Sequence, residues 1–189
     1  MPWSSRVHQT RIRSQAEMLG DYVQAGDSVL DVGCGAGYLA NNLHQLYAAV
    51  TTGLDVQDFR RSDIPFRCFD GTSIPFPDKS FDHVVLSFVL HHSQDPLTLI
   101  RECHRVARRS VIVFEDMPDN RFGKILTSIH VGIFNEFYRL RSTRGDYRSA
   151  LDWLEGNVAR VVRTLLPVEW FDVLYRVPRF LLVYQLSDA

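Results

Sequence analysis

The chain has 189 residues, of which 46% are hydrophobic and 23% are charged, enough apolar material for an ordinary hydrophobic core. A formal net charge of −1 gives no electrostatic case for a nucleic-acid partner, and no apolar run is long enough for stable membrane insertion. The cysteines Cys34, Cys68 and Cys103 are odd in number and far apart, which favours free thiols over a disulfide framework or a zinc site. We therefore expect a single soluble, cytoplasmic domain over residues 1–189.

The N-terminal stretch up to Glu17 is rich in arginine and serine and poor in acidic residues. This composition is also found in transit peptides. The stretch does not fit a secretory signal, because Arg6, Arg11 and Arg13 interrupt the apolar run that such a signal needs. An amphipathic first helix is the interpretation that we favour.

Short strand-like runs then alternate with helical patterns. Asp95 is a predicted N-cap with Pro96 at the first helical position, and we expect the last turn of that helix to hold Arg105, Arg108 and Arg109. The predicted strands cover residues 28–32, 49–55, 65–70, part of 81–90 and 110–116, and the predicted helices begin at residues 38 and 96. The alternation predicts right-handed crossovers and a mainly parallel sheet.

The pattern changes after Asp116. Apolar residues recur at three- and four-residue steps from Phe122 to Leu140, which predicts a helix. A second helix is predicted to start at Ser149, because Asp152 would complete a capping box. The runs 169–177 and 179–186 are predicted to form an antiparallel pair at the end of the sheet.

The stretch VLDVGCGAGYLA places Gly33, Gly35 and Gly37 between a strand and a helix, where the backbone can approach a ligand and aim free N–H groups at it. A dinucleotide fingerprint would need a third glycine where Tyr38 stands. S-adenosyl-L-methionine is the other usual ligand, and its ammonium group suits Asp31 better than a pyrophosphate would. Alternatively, Asp31 accepts hydrogen bonds from the amides of the loop, and both roles are compatible.

Two more acids follow the next two predicted strands. Asp55 could accept both hydroxyls of a ribose, and Asp70 could accept from an adenine amine, with Gly71 leaving room for the ring. Either acid alone could be an ordinary turn carboxylate. Three acids after three successive strands, in this order, favour a ligand site.

Several runs together resemble class I S-adenosylmethionine-dependent methyltransferases: VLDVGCGAG, GLD, FDGTSIPFPDKSFDHVVLSFVLHH and LIRECHRVARRSVIVFED. The run PFPD…FD…LHH is most similar to the small-molecule branch known as the methyltransferase type 11 domain. The resemblance covers a core at residues 27–116 and the terminal strand pair.

The resemblance implies an α/β fold, Rossmann-like and doubly wound, with a mainly parallel seven-stranded sheet, an antiparallel last strand and helices on both faces. It implies a cofactor site made of Asp31, Gly33, Cys34, Gly35, Gly37, Asp55, Val56, Asp70, Gly71 and Ser87. Residues 57–63 are too few for the helix that usually joins the second and third strands. Residues 118–168 match no motif of the family, and we expect them to form a helical segment over the methyl acceptor.

Methyl transfer needs a general base only when the acceptor must lose a proton. His91 and His92 are the first candidates because they follow the fourth strand at its ligand end, although one of them could be a packing residue. Asp116 is a second candidate.

The acceptor side is less well defined. The apolar stripe in the segment 118–168 fits either a wall for an apolar acceptor or plain core packing. The arginines Arg139, Arg141, Arg144 and Arg148 fit a solvated face or an anionic acceptor. Candidates for acceptor contact are His130, Tyr138 and Tyr147.

The predicted function is S-adenosylmethionine-dependent methylation of a small molecule, with an apolar acceptor as one of the open alternatives. The alternative is a non-catalytic cofactor-binding or regulatory module of the same fold, since a short chain leaves little room for acceptor recognition. The glycine spacing disfavours an NAD-dependent oxidoreductase, and SFVLHH after the fourth strand lacks the Asn-Pro-Pro-Tyr type motif of nucleic-acid methyltransferases. The oligomeric state is left open.

Overall fold

The computed structural model describes residues 2–117, 147–166 and 178–187. The elements, in chain order, are α1 (Pro2–Glu17), β1 (Ser28–Val32), α2 (Tyr38–Tyr47), β2 (Val50–Asp55), β3 (Phe66–Cys68), β4 (Phe81–Ser87), a 3-10 turn (Leu90–His92), α3 (Pro96–Val106), β5 (Ala107–Asp116), α4 (Tyr147–Glu155), β6 (Arg160–Leu165) and β7 (Arg179–Gln185). The predicted N-terminal helix is confirmed, and no helix separates β2 from β3.

The seven strands pair in the order β3-β2-β1-β4-β5-β7-β6. The pairs from β3 to β5 are parallel, whereas β7 runs antiparallel to both β5 and β6. This topology confirms the predicted doubly wound sheet with an antiparallel last strand. The strand order reverses between β1 and β4, and such a reversal opens a crevice at the carboxyl ends of the strands.

Strand β5 shows why the central strands read as continuous apolar runs. Its residues Val111 and Val113 enter the core on the side of α3 and α4, while Ile112 and Phe114 enter the core on the side of α1 and α2. Because successive side chains point to opposite faces and both faces are covered, every position of the strand centre is apolar.

The start of α3 is as predicted, and its end is not. The Asp95 carboxylate accepts from the backbone N–H of Thr98 at 2.9 Å, and Pro96 opens the helix. The helix ends at Val106, so Arg108 and Arg109 belong to β5 and not to the last helical turn. Ion pairs hold both arginines at the strand start, Arg108 to Asp82 and Arg109 to Asp27.

Two predictions for the C-terminal part are wrong. Ser149 lies inside α4, so it is not the N-cap of that helix. Residues 160–165, within the segment predicted to be helical, form β6, a largely exposed edge strand whose RVVRTL sequence lacks a strong apolar signal. The partners of β7 are therefore β5 and β6, while the run 169–177 and the predicted helix between Phe122 and Leu140 lie outside the described residues.

A buried polar cluster joins the amino ends of β1, β4 and β5. The His83 ring contacts the Ser110 hydroxyl through Nδ1 at 2.8 Å and the Asp27 carboxylate through Nε2 at 3.1 Å. Arg109 donates to the other oxygen of Asp27 at 2.9 Å. Burial lowers the pKa of His83 below its ordinary value, despite the opposing effect of Asp27.

This cluster predicts an acid-sensitive contribution to stability. Because the unfolded chain binds a proton at His83 before the folded chain does, the contribution is complete above about pH 6.5 and declines as the pH falls through that value. The free energy of unfolding in urea should therefore fall less between about pH 7.5 and pH 5.5 for His83→Gln than for the wild-type chain. The control is His104→Gln, at a partly exposed position of α3, which should keep the wild-type slope. An unchanged slope in His83→Gln would contradict the assignment.

Candidate cofactor and acceptor site

The glycine loop lies at the crevice where the strand order reverses. Gly33, Gly35 and Gly37 have φ angles of 70°, 51° and 76°, in the left-handed region that glycine adopts without strain. The loop turns the chain sharply from β1 into α2, as the motif predicts.

Four amides of this loop are bonded within the protein, which corrects the expectation that they point free at a ligand. Four donors are engaged: Gly33 and Cys34 donate to the Leu54 carbonyl at 2.7 and 3.2 Å, Gly35 donates to the Asp55 carboxylate at 2.8 Å, and Gly37 donates to the Cys34 carbonyl at 2.8 Å. The Cys34 side chain is buried against Gly53. The loop therefore contributes its shape more than its hydrogen-bond donors.

Gly33 and Gly35 leave space for different neighbours of the loop. A Cβ at Gly33 would come within 2.5 Å of Val89 Cγ2, so this glycine lets the turn after β4 pack directly on the loop. A Cβ at Gly35 would meet nothing within 4 Å. Gly35 therefore leaves open space beside the Asp55 carboxylate, where a ligand can approach the backbone.

Asp31 lies beneath this space. It is 1% exposed, and its carboxylate accepts from the Ala40 backbone N–H at 3.2 Å. Burial raises its pKa to about 7, with the Ala40 N–H opposing the rise and the Asp55 charge adding to it. The amide that Asp31 binds belongs to α2, so Asp31 anchors the helix rather than the loop.

Asp55 connects the end of β2 to the glycine loop. One carboxylate oxygen accepts from Gly35 and the other from the Val56 backbone N–H at 2.7 Å. Burial raises the pKa of Asp55, while the N–H groups of Gly35, Val56 and Gln57 lower it. The two carboxylate oxygens together have about four lone pairs, so Asp55 can still accept from a ligand hydroxyl.

Asp70, Gly71 and Val56 form the next part of the edge. Asp70 accepts from the Ser73 and Thr72 backbone N–H groups at 2.7 and 2.8 Å, which lowers the pKa of this exposed carboxyl and stabilises a turn. A Cβ at Gly71 would lie 3.3 Å from Val56 Cγ1, and the Val56 side chain is 44% exposed. An exposed valine beside a glycine suits a flat apolar ring, such as adenine.

Ser87, at the end of β4, is covered by α1. Its hydroxyl donates to Oε1 of the buried Gln15 at 3.0 Å. The next residue, Phe88, has a φ of 58°, and the Arg11 guanidinium lies 4.8 Å from its ring centroid. Sequence motifs did not single out Gln15 or Arg11, because α1 matches no motif.

The two histidine candidates lie in the 3-10 turn that follows β4. His91 is buried, and its Nδ1 contacts the carboxylate of the fully buried Glu115; the His92 ring lies 4.2 Å from the His91 ring. Burial lowers the pKa of His91, but the charges of Glu115 and Asp116 outweigh it, so the pKa lies above the ordinary histidine value. Sequence reasoning missed Glu115, because it lies at the end of an otherwise apolar strand and no motif marks it.

Within the described residues, Asp116 makes two structural contacts. Its carboxylate accepts from Arg179 Nε at 2.9 Å, and its carbonyl accepts from the Tyr147 hydroxyl at 2.6 Å. Burial raises the pKa of Asp116, Arg179 lowers it and Glu115 raises it. These contacts bring β5, α4 and β7 together beside the histidine turn.

Only some of the remaining sequence candidates lie within the described residues. Tyr147 and Arg148 lie on α4, whereas His130, Tyr138, Arg139, Arg141 and Arg144 lie outside the described residues. Within residues 2–117, 147–166 and 178–187, no group of three or more His, Cys, Asp or Glu side chains could hold a metal ion. No helix in these ranges is long and apolar enough to cross a bilayer.

Comparison with known proteins supports the same interpretation. Residues 30–114 match the methyltransferase domain family. The match and the sheet topology confirm the resemblance to class I S-adenosylmethionine-dependent methyltransferases and indicate S-adenosylmethionine as the cofactor.

Among curated relatives, a tRNA U34 carboxymethyltransferase from Nautilia profundicola is 34% identical over 39% of this chain and 28% of its own length. A demethylmenaquinone methyltransferase from Renibacterium salmoninarum is 28% identical over 80% of this chain and 69% of its own length. The chain spans less than two thirds of the length of the first of these relatives.

A solved structure of magnesium protoporphyrin IX methyltransferase from Synechocystis PCC 6803 with bound SAH has a similar fold. Its TM-score is 0.63 at 22% identity, over 95% of this chain and 84% of that chain.

The open space at Gly35 predicts a specific loss of ligand binding in Gly35→Ala. Gly26 is a matched control, because its φ is also positive, at 85°, and a Cβ there would also meet nothing within 4 Å. Each substitution should cost about 1–2 kcal/mol of stability through backbone strain. In calorimetric titration with S-adenosylhomocysteine, Gly35→Ala should raise Kd about tenfold or more while Gly26→Ala stays near wild type. Equal affinities in the two variants would contradict the assignment of this space to the ligand.

Proposed function

We propose that this chain, whose residues 30–114 match the methyltransferase domain family, transfers a methyl group from S-adenosylmethionine to a small molecule with an apolar part. The observation that carries the proposal is the open space at Gly35 beside the Asp55 carboxylate, in the crevice of a class I methyltransferase sheet. A dinucleotide would have to place its pyrophosphate at the glycine loop, directly above the Asp31 carboxylate.

In the proposed complex, each part of the cofactor contacts its own set of residues. Asp55 accepts the ribose hydroxyls, and Val56 with Gly71 flanks the adenine, to whose amine Asp70 is directed. The glycine loop, including Gly33, Cys34, Gly35 and Gly37, packs against the methionine part, and Ser87 lies towards the methionine end. Asp31 contributes to the site indirectly, because its carboxylate holds the first turn of α2.

The bound cofactor supplies a methyl group on a positively charged sulfur, which is already an activated leaving group. The protein must therefore align the acceptor and exclude water, and alignment alone is worth about 7–11 kcal/mol. Helix α1 covers the end of β4 through the bond between Gln15 and Ser87, and Val89 packs the histidine turn on the glycine loop. Both contacts narrow the mouth of the crevice.

An apolar acceptor is supported by the side chains around that mouth. Phe88, Val89 and Met117 are hydrophobic and only partly buried at the ends of β4 and β5. The relative from Renibacterium salmoninarum is named for demethylmenaquinone, an apolar acceptor. A quinol, which loses a proton when it is methylated, would also use a base from the histidine turn.

One observation favours the alternative of a non-catalytic module. The Ser87 hydroxyl is bonded to Gln15, and the Asp116 carboxylate is paired with Arg179, so two polar groups on the acceptor side already have partners. A cofactor-binding protein with a filled acceptor side would look like this. The two functions differ in whether bound cofactor is consumed.

Cofactor binding is tested by calorimetric titration with S-adenosylmethionine and S-adenosylhomocysteine. Asp55→Ala should weaken binding about tenfold or more, because each lost hydrogen bond to a charged group is worth about 1.5–3 kcal/mol. Asp58→Ala is the control, since Asp58 follows the same strand but is exposed and pairs with Arg60. A folded wild-type chain that binds neither ligand would contradict the proposal.

Catalysis is tested by release of S-adenosylhomocysteine in the presence of 1,4-naphthoquinol, glycine or tRNA. We expect turnover with the naphthoquinol and none with tRNA. Tight cofactor binding without turnover of any acceptor would favour the non-catalytic module, and methylation of tRNA would contradict a small-molecule acceptor.

A further inference from the structure

A buried group of four ionisable side chains lies at the carboxyl ends of β4 and β5 and the start of β7. It comprises His91, Glu115, Asp116 and Arg179. The first three are buried, and the Arg179 side chain is 14% exposed. Such a group is expensive to bury, and apolar residues of similar volume would stabilise the fold equally well or better. Its presence beside the glycine loop therefore points to a role in the site.

Within this group, the two acids have different partners. Asp116 is neutralised by Arg179 at 2.9 Å. Glu115 contacts His91 through Oε1, which also accepts from the Asp116 backbone N–H at 2.9 Å. The group opposite Glu115 is thus the His91 ring, because Arg179 is already paired with Asp116.

The second carboxylate oxygen of Glu115, Oε2, differs from Oε1 in its hydrogen bonding. Oε2 is buried, and the described residues offer it no hydrogen-bond partner. A carboxylate kept only for stability would satisfy both oxygens, because an unsatisfied buried acceptor costs about 1–3 kcal/mol. Among the described residues, the Glu115 carboxylate therefore contacts the His91 ring and the Asp116 backbone N–H, both through Oε1.

The geometry also fixes which nitrogen of His91 is turned away from Glu115. A carboxylate only accepts hydrogen bonds, so Nδ1 carries the proton that points at Glu115. Nε2 lies across the ring and points away from Glu115. Val89, two residues before His91, packs on Gly33, so the histidine turn directly adjoins the glycine loop.

We propose that Glu115 is a positioning residue, which fixes the orientation and tautomer of His91 so that Nε2 takes the proton of the methyl acceptor. This inference rests on the proposed function. When the acceptor atom takes the methyl group and the sulfur keeps the electron pair of the broken C–S bond, the acceptor loses one proton. That proton passes to Nε2, and the resulting imidazolium is stabilised by the Glu115 carboxylate.

Other charged groups near the turn have separate roles. The His92 ring stacks on His91 from the same turn, Asp116 and its partner Arg179 face it from β5 and β7, and Arg11 of α1 lies over Phe88. Glu115 is the carboxylate in direct contact with the His91 ring. Removing its charge should therefore affect His91 more than any change at the periphery.

The first test needs no acceptor. The His91 imidazole is titrated by NMR in the full chain, with His91→Gln used to assign its signals. The wild-type pKa should lie above about 6.5, and Glu115→Gln, which keeps the shape and the acceptor oxygen, should lower it by about one unit or more because burial then dominates. Glu155→Gln, at an exposed ion pair with Arg163, is the matched control. An unchanged His91 titration in Glu115→Gln would overturn the proposal.

The second test uses the pH dependence of naphthoquinol methylation at saturating S-adenosylmethionine. In Glu115→Gln, kcat should fall about tenfold or more and the acidic limb should move to lower pH, while the affinity for S-adenosylhomocysteine stays within about twofold of wild type. Wild-type kcat and pH profile in this variant would overturn the positioning role and leave the proposed function standing. Loss of cofactor affinity together with stability would show that Glu115 is only structural. A wild-type chain without cofactor binding or turnover would instead overturn the proposed function, and this inference with it.

Discussion

The bond between the Gly35 amide and the Asp55 carboxylate holds the site together. It fixes the loop after β1 to the end of β2, and both elements border the crevice at which the strand order reverses. Around it, Leu54 accepts from two loop amides, so the loop is braced along its length by the neighbouring strand. A loop braced in this way presents a fixed surface, and ligand binding then needs little ordering of the backbone.

This constraint also explains why the acids of the site are not equivalent. Asp31 is buried and shapes the site by holding α2, whereas Asp70 holds a turn through Oδ1 and leaves Oδ2 able to accept from a ligand. Asp55 combines both tasks, because its oxygens accept from the loop and still have lone pairs left over. The division suits a ligand that is neutral or positive at its reactive end and has a diol in its middle.

Much of the architecture could be predicted from the sequence, since β1, β4 and β5 are buried on both faces and read as apolar runs, and Asp95 with Pro96 marks a helix start. The β6 strand could not, because an exposed edge strand carries little apolar signal. The loop glycines were recognised, but their amides were not expected to be bonded internally, since that depends on the neighbouring strand. Glu115, Gln15 and Arg179 were missed for the same reason: each acts through a contact more than twenty residues away in the chain.

The proposed acceptor side holds several buried ionisable groups. Around the histidine turn, the structure places an unusual concentration of buried charge, a left-handed Phe88 and a helix that reaches over from the N-terminal part of the chain. Strain and buried charge are common where a protein binds or transforms a ligand. The cofactor side, in contrast, consists of glycines and satisfied carboxylates.

A crystal structure of the chain with S-adenosylhomocysteine would test the central claim most directly. The account predicts the ribose on Asp55, the adenine between Val56 and Gly71, and the sulfur at the glycine loop beneath the histidine turn. A ligand bound elsewhere, or bound in the crevice without contact to Asp55 and Gly35, would contradict it.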